Sequence, residues 1–226
     1  MIDDDTSHRG NDRSLSRMTD LPRQVVIDAE TLADWIRERS RGHERLLFGL
    51  AGAPGSGKST LARRIADALD APLVPMDGFH LPDATLVERG LRSVKGAPHT
   101  FDSDGFVAAV RLLRAGDDVS LPTFDRATDE PVPDSLHVGR AASVVIVEGN
   151  YLLLETPPWA ELASIFDAVA HLHLQADVRV ERLIERHIAH GKRRDEARHF
   201  VETSDEVNAA QVEAVRHRAD LIVSGT

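Results

Sequence analysis

Short apolar runs alternate along this chain with stretches whose apolar residues recur at helical spacing. Continuously apolar runs predict strands that are buried on both faces of a sheet, and they occupy residues 46–51, 71–76, 142–148, 168–174 and 221–223. Helical spacing predicts helices over residues 28–41, 61–69, 106–113, 158–166, 177–190 and 195–218. This alternation predicts an α/β fold in which a central parallel sheet is flanked by helices on both faces.

Three segments depart from the alternation. Residues 119–124 predict an edge or isolated strand, because Pro122 cannot donate a hydrogen bond inside a sheet. Residues 83–101 are irregular except for a short helix near 84–91, and such a long connection suggests a functional insertion. Residues 1–20 are polar without periodicity and are expected to be disordered, with Met18 a candidate natural start. Residues 21–226 are expected to form a single domain.

Composition restricts the class of protein. The chain has 226 residues, 42% of them hydrophobic, which suits one well-filled α/β domain. A net charge of -10 argues against a nucleic-acid-binding surface, and the absence of cysteine excludes disulfides and thiolate metal sites. No apolar run reaches transmembrane length and no signal peptide is evident, so we expect a cytoplasmic protein without a membrane partner.

A glycine-rich loop lies between the first predicted apolar strand and the helix after it. It matches the phosphate-binding pattern G-x-x-x-x-G-K-[ST] at Gly52, Ala53, Pro54, Gly55, Ser56, Gly57, Lys58, Ser59 and Thr60. Its amides and the helix N-terminus suit phosphates, Lys58 can reach the terminal phosphates, and the Ser59 hydroxyl can ligate Mg²⁺. A chance glycine turn would explain the loop but neither flanking element. We therefore predict a P-loop nucleoside triphosphate hydrolase fold that binds a nucleoside triphosphate and Mg²⁺.

Two acids follow predicted strands at the edge of the sheet where ligands bind. Glu148 ends the strongest strand and is expected to serve Mg²⁺, although an ordinary solvated strand-end acid is the alternative. Asp77 ends the second strand and could take a proton from an acceptor hydroxyl, or be a common Asp-Gly turn residue. The spacing alone leaves both interpretations of Asp77 open.

The predicted helix 177–190 carries Arg182 and Arg186 four residues apart on one face. Together they could clamp a transferring phosphoryl group. The alternative is a solvated basic face neutralised by Glu181 and Glu185.

At this point the sequence resembles a known family of P-loop kinases. Asp77-Gly78-Phe79-His80, Phe101-Asp102, Pro122-Thr123-Phe124-Asp125-Arg126 and Val147-Glu148-Gly149-Asn150-Tyr151 resemble the uridine kinase, pantothenate kinase and phosphoribulokinase superfamily. The resemblance runs from about residue 46 to the C-terminus and is strongest to a small bacterial branch of nucleoside/nucleotide kinase-like, fructose-transport-associated proteins.

The resemblance implies roles for particular residues. Asp77 would be the general base, Glu148 would serve the metal, and residues 176–200 would form a lid whose arginines fold over the phosphates. His80 and His99 are candidates for substrate hydroxyls, although both could be plain loop histidines. The expected acceptor site comprises Asp77, His80, Lys95, His99, Asp102, Phe124, Arg126 and Tyr151.

The sequence therefore predicts a small-molecule kinase. It would move the γ-phosphoryl group of Mg-ATP to a hydroxyl of a nucleoside, a sugar or a pantothenate-like alcohol. Its catalytic residues would be Asp77, Lys58, Arg182 and Arg186, its metal ligands Ser59 and Glu148. The alternative is a nucleotide-binding regulatory NTPase without a small-molecule acceptor. The resemblance also admits a homodimer.

Overall fold

Six parallel strands form the central sheet of the computed structural model, which describes residues 24–25 and 28–224. The strands are β1 (Gln24–Val25), β2 (Leu46–Gly52), β3 (Leu73–Pro75), β6 (Val144–Gly149), β7 (Ala168–His173) and β8 (Leu221–Ser224), in the order β1-β8-β7-β2-β6-β3. β2 and β6 are buried along their whole length because they lie inside the sheet with both faces covered. The predicted parallel α/β architecture is confirmed, and the disorder expected for residues 1–20 lies outside the described residues.

Helices cover both faces of the sheet. α1 (Ala29–Ser40) begins after Asp28, whose carboxylate accepts a hydrogen bond from the Thr31 amide at 2.8 Å, so Asp28 is the cap. α1 and α2 (Lys58–Leu69) pack on one face around Phe48 and Ile146. α4 (Ser103–Arg114) and a 3₁₀ turn (Trp159–Ser164) pack on the other face. In the described part of the chain no helix is long and apolar enough to cross a membrane.

A separate two-stranded sheet projects beside the central one. β4 (Val119–Asp125) pairs antiparallel with β5 (Glu130–Val138). The prediction that residues 119–124 lie outside the main sheet is confirmed, but β5 was missed. Its sequence contains two prolines and five of its nine residues are exposed, so it lacks the apolar pattern that identifies a strand. Before this hairpin come a 3₁₀ turn (Met76–Phe79) and α3 (Asp83–Glu88).

The C-terminal helical region differs from the prediction of one long helix over residues 195–218. After α5 (Ala176–Ala189) come α6 (Arg194–Phe200), a π-helical turn (Val201–Asp205), α7 (Glu206–Ala214) and a 3₁₀ turn (Arg216–Arg218). Continuous apolar periodicity does not reveal a π-turn, because the extra residue only shifts the register within the helix. α5 and α6 pack through Leu183, Ile184, Ala197 and Val201.

Candidate active site

The phosphate-binding loop joins β2 to α2, as its sequence predicts. Gly55 and Gly57 have φ angles of 79° and 91°, which a residue with a side chain rarely adopts. A Cβ atom at Gly55 would also lie 2.8 Å from Leu183 Cγ and 2.9 Å from the Arg179 carbonyl oxygen. The glycine therefore lets α5 pack directly against the loop.

Glu148 lies beside this loop because β6 is the direct neighbour of β2 in the sheet. Its side chain is almost fully buried, and the Ser59 hydroxyl donates a hydrogen bond to Glu148 Oε1 at 3.1 Å. The other carboxylate oxygen, Oε2, is buried and has no hydrogen-bond partner among the described residues. A buried oxygen without a partner is costly unless a cation completes its coordination. The donor set of a hydroxyl and a carboxylate fits Mg²⁺.

The electrostatic environment of Glu148 also favours a bound cation. Burial raises the pKa of the Glu148 carboxyl above its ordinary value, the Lys58 charge opposes that effect, and the Asp77 charge adds to it. The protein without ligands thus disfavours the ionised carboxylate. A divalent cation would reverse that preference, because its charge is the largest in such a site.

Asp77 follows β3 within a 3₁₀ turn, and β3 is the other neighbour of β6. The next residue, Gly78, packs against β4: a Cβ atom there would lie 2.7 Å from the Pro122 carbonyl carbon and still closer to its oxygen. Arg126, at the end of β4, donates a hydrogen bond from Nη2 to Asp77 Oδ2 at 2.7 Å. The hairpin therefore delivers a guanidinium to the predicted base.

Asp77 is held in its ionised form. Burial alone would raise the pKa of Asp77, but the Lys58 charge and the charge and hydrogen bond of Arg126 outweigh burial and hold the pKa below its ordinary value. Asp77 and Glu148 both interact with the Lys58 charge, so the structure gathers the three groups at one end of the sheet. An ionised carboxylate beside a phosphate-binding lysine is suited to accept a proton from a hydroxyl.

Two predicted acceptor residues form an aromatic wall next to Asp77. The His80 ring lies 4.8 Å from the Phe124 ring and 4.0 Å from the Phe101 ring. His80 Nδ1 is 2.8 Å from the Asp77 carbonyl oxygen, which fixes the ring's orientation. Burial lowers the pKa of His80 despite the attraction of Asp77, so the neutral ring is favoured.

Lys95 and Tyr151, both predicted for the acceptor site, make polar contacts within the protein. The Lys95 side chain is 8% exposed, and its ammonium binds Asp83 at 2.6 Å and Asp129 at 2.9 Å, which ties residues 83–101 to the β4–β5 turn. Tyr151 is fully buried and donates its hydroxyl hydrogen bond to the Gly96 carbonyl. Both side chains therefore brace the acceptor-side segment, and the Lys95 ammonium also lies 5.3 Å from the centre of the Phe124 ring. Their acceptor roles remain predictions.

Neither Asp102 nor His99 contacts Asp77 among the described residues. Asp102 caps α4, since its Oδ1 accepts a hydrogen bond from the Gly105 amide at 3.0 Å. His99 is exposed and lines a cavity that contains none of the catalytic candidates. Their acceptor roles remain predictions.

The predicted lid arginines lie on α5. A Cβ atom at Gly57 would lie 3.7 Å from Arg182 Nη1, so Arg182 reaches over the phosphate loop. Arg186 is exposed one helical turn later. The two acids that could have neutralised this face, Glu181 and Glu185, form ion pairs with Arg194 of α6.

Arg179 is a residue that the sequence reasoning missed. Its side chain is almost fully buried, donates to the Pro54 carbonyl of the loop at 3.2 Å and forms an ion pair with Glu206 of α7 at 2.7 Å. The available signal was its position four residues before Leu183, on the apolar face of the helix. A charged residue on that face must find buried partners.

His171 and His173 form a hydrogen-bonded group with Glu213, which is either a structural cluster or a candidate metal site. His171 Nε2 and His173 Nδ1 lie 3.2 and 3.0 Å from the Glu213 oxygens. Arg216 Nη1 lies 3.0 Å from Glu213 Oε2, which places a fixed positive charge where a metal ion would have to bind. The geometry favours the structural interpretation.

Comparison with known proteins identifies the family. The model of the phosphoribulokinase and uridine kinase family matches residues 47–225, which is most of the chain. The chain belongs to this family. The family signature thus spans the phosphate loop, both acids and the helical region that follows β7.

Individual relatives agree with this assignment. A protein of Schizosaccharomyces pombe whose name marks it as a candidate uridine kinase is 35% identical over 201 residues, covering 82% of this chain and 86% of its own. The Escherichia coli protein YggC, whose name assigns no function, is 40% identical over 189 residues, which cover 80% of this chain and 78% of YggC.

A solved structure supports the P-loop kinase fold. The structure of a candidate fructose transport system kinase from Silicibacter sp. TM1040 superposes with a TM-score of 0.81 at 40% identity, over 87% of this chain and 98% of that one. The predicted P-loop kinase fold is confirmed. Membership of a kinase family supports ATP-dependent phosphoryl transfer as the general activity.

Proposed function

We propose that this protein is a small-molecule kinase that moves the γ-phosphoryl group of Mg-ATP to a hydroxyl of a nucleoside, a sugar or a pantothenate-like alcohol. The supporting observation is that two acids interact with the charge of Lys58. Asp77 favours its ionised form, and Glu148 has a buried Oε2 atom without a hydrogen-bond partner among the described residues. Phosphoryl transfer to an alcohol needs a metal site and a base on opposite sides of the γ-phosphate. These two acids have the contrasting environments that those roles require.

The chain's own groups account for nucleotide binding and positioning. Lys58 and the amides of the glycine loop would hold the β- and γ-phosphates. Ser59 and the Oε2 atom of Glu148 would hold Mg²⁺, directly or through its waters. Mg²⁺ would neutralise charge on the β- and γ-oxygens. Arg182 and Arg186 would contribute positive charge from above the loop.

Asp77 would orient the acceptor hydroxyl and accept its proton as the acceptor oxygen bonds to the γ-phosphorus. The bond from that phosphorus to the β–γ bridging oxygen breaks at the same time, and ADP leaves with the electron pair. Arg126 occupies Asp77 Oδ2 in the protein without ligands. Acceptor binding would therefore displace Arg126 from that oxygen or use the other carboxylate oxygen.

The wall next to Asp77 suits an acceptor with a flat or ring-shaped part. The His80 and Phe124 rings lie 4.8 Å apart and the His80 ring favours its neutral form, so this side of the site offers apolar faces and a single imidazole. Ring faces of this kind stack on a sugar or a nucleobase. Relatives named for uridine and fructose-linked kinases are consistent with both classes.

The test is an ATP-consumption screen across nucleosides, sugars, pantothenate and other vitamin-like alcohols, followed by product analysis. Asp77→Asn should remove phosphoryl transfer by about 10²–10⁴-fold while leaving ATP affinity nearly unchanged. Lys58→Ala should lower both phosphoryl transfer and ATP affinity. It is therefore the matched control for a general loss of nucleotide binding. Undiminished turnover in Asp77→Asn would overturn the assignment of the base. If no alcohol stimulates ATP consumption and nucleotide instead controls binding to a protein partner, the chain is a regulatory NTPase.

A further inference from the structure

A cavity of about 380 Å³ lies away from the residues assigned to phosphoryl transfer. Its walls come from three places: residues 94–103, residues 156–159 and residues 203–211. The first segment belongs to the acceptor side, and the last comprises the end of the π-turn and the start of α7. The volume falls within the range of natural small-molecule sites.

Contacts separate this cavity from the transfer centre. Neither acid and no residue of the phosphate loop lines it. Trp159 forms part of its wall, and the Trp159 ring contacts the buried Phe101 and Tyr151 rings at 6.2 and 5.7 Å. Phe101 in turn contacts His80, the neighbour of Asp77. A layer of aromatic rings therefore stands between the cavity and the predicted base.

Two buried polar side chains line the cavity and lack partners. Asn208 is 4% exposed and Ser204 is 7% exposed. Neither side chain makes a hydrogen bond or another polar contact with a described residue. Neither is among the polar atoms sealed without a partner, so the polar atoms of both are open to the cavity and available to a ligand that enters it.

The lining also restricts the charge of that ligand. Among the described residues that form the wall there is no Asp, Glu, Lys or Arg. Its polar groups are hydroxyls, amides and the His99 imidazole. Its apolar part comprises aliphatic side chains, prolines and an edge of the indole: Val94, Ala97, Pro98, Pro157, Pro158, Trp159 and Val207. A charged molecule would lose its hydration here without gaining an opposite charge. A flat, neutral ring that carries an amide edge would lie against this apolar wall and pair with Asn208.

We propose that this cavity is a second ligand-binding site, separate from the phosphoryl-transfer centre, for a small, uncharged, planar molecule with an amide edge. Its walls join the acceptor-side segment to the turn that carries α6 into α7. A bound ligand therefore bridges the acceptor segment and the root of the predicted lid. This site does not depend on which alcohol the enzyme phosphorylates.

The experiment measures binding of nicotinamide and benzamide to the full-length protein by ligand-observed NMR, without nucleotide. Nicotinate and benzoate are the matched charged probes. We expect saturable binding of both amides and at least tenfold weaker binding of both carboxylates. Asn208→Leu should weaken amide binding at least tenfold, and Asp77→Asn should leave it unchanged. Gln211→Leu, at an exposed position of the same wall, should also weaken binding and is a second variant if Asn208→Leu does not fold.

Location is tested by hydrogen exchange and by competition. Saturating nicotinamide should protect amides in residues 94–103 and 203–211, and binding should persist with Mg²⁺ and a non-hydrolysable ATP analogue present. The proposal is overturned if the amides do not bind, if the carboxylates bind equally well, or if both wall variants bind like the wild type. Displacement by the ATP analogue, loss of binding in Asp77→Asn, or protection confined to other segments would overturn it as well. None of these outcomes bears on the kinase screen, so failure of one proposal leaves the other standing.

Discussion

Replacing Glu148 by glutamine should stabilise the protein without ligands while removing the Mg²⁺-dependent activity proposed for it. Glu148 is 4% exposed, and its Oε2 atom has no hydrogen-bond partner among the described residues. Glutamine keeps the volume and still offers Oε1 to the Ser59 hydroxyl, but it carries no charge. The substitution therefore removes the cost of a buried carboxylate and, with it, the candidate metal ligand.

The size of the effect follows from two limits. A buried polar atom without a partner costs about 1–3 kcal/mol, and a charged one costs more. Proton linkage sets an upper limit on this cost. When the pKa of a carboxyl is raised by folding, the free energy of unfolding falls by about 1.4 kcal/mol for each pH unit above about 4.3, which amounts to roughly 4 kcal/mol at neutral pH. The glutamine amide is itself without a partner at the same place. We therefore expect a gain of about 1–2 kcal/mol, which raises Tm by roughly 2–8 °C.

The pH dependence of this gain has a definite sign. Because burial raises the pKa of Glu148, the folded protein holds a proton that the unfolded chain has released at the same pH. The wild type thus loses stability as pH rises from about 4.3 through the raised pKa, and the variant does not. The difference in Tm should widen between pH 5 and pH 7.

The assay is thermal unfolding of both proteins across that pH range, with and without Mg²⁺ and ATP. Ligands should raise the Tm of the wild type much more than that of the variant. Glu155→Gln is the matched control, because the Glu155 side chain is 68% exposed and should leave Tm within about 1 °C. A Glu148→Gln protein that melts at or below the wild-type temperature at pH 7, or a difference that stays constant with pH, would refute this reasoning.

Two further predictions concern packing around the site. Gly78→Ala places a Cβ atom against the Pro122 carbonyl and should lower stability by about 1–3 kcal/mol in urea unfolding, whereas Gly139→Ala, with nothing nearer than 3.7 Å, should be close to neutral. Equal destabilisation by the two alanines would contradict the close approach of β4. Arg179→Met removes the hydrogen bond to the Pro54 carbonyl and should raise the Kd for ATP about tenfold in a calorimetric titration. An unchanged Kd would show that the loop holds its shape without α5.

Much of this site was readable in the sequence because local rules determine it. The apolar run of β2, the glycine pattern and the helix that begins at Lys58 are adjacent in the chain, and their order alone specifies a phosphate loop. Asp77 and Glu148 were located because acids that follow buried strands meet at one edge of a parallel sheet. The family resemblance added their separate roles, which spacing alone left open.

The acceptor side could not be read in the same way, because it depends on contacts between segments far apart in the chain. Lys95 and Tyr151 look like polar site residues in sequence, and only the structure shows that Asp83, Asp129 and the Gly96 carbonyl bind their polar atoms. β5 went undetected because its partner β4, rather than a buried face, makes it a strand.

The sequence by itself determined the fold class, the phosphate loop and the strand ends that bear the two acids, since each follows from periodicity or from residues a few positions apart. Only the tertiary structure decided that Arg126 pairs with Asp77 and that Asn208 lies unpaired among the described residues in a neutral cavity. The reason is physical. Burial and pairing are properties of the folded surroundings of a side chain, and no local pattern encodes surroundings that are brought together from distant parts of the chain.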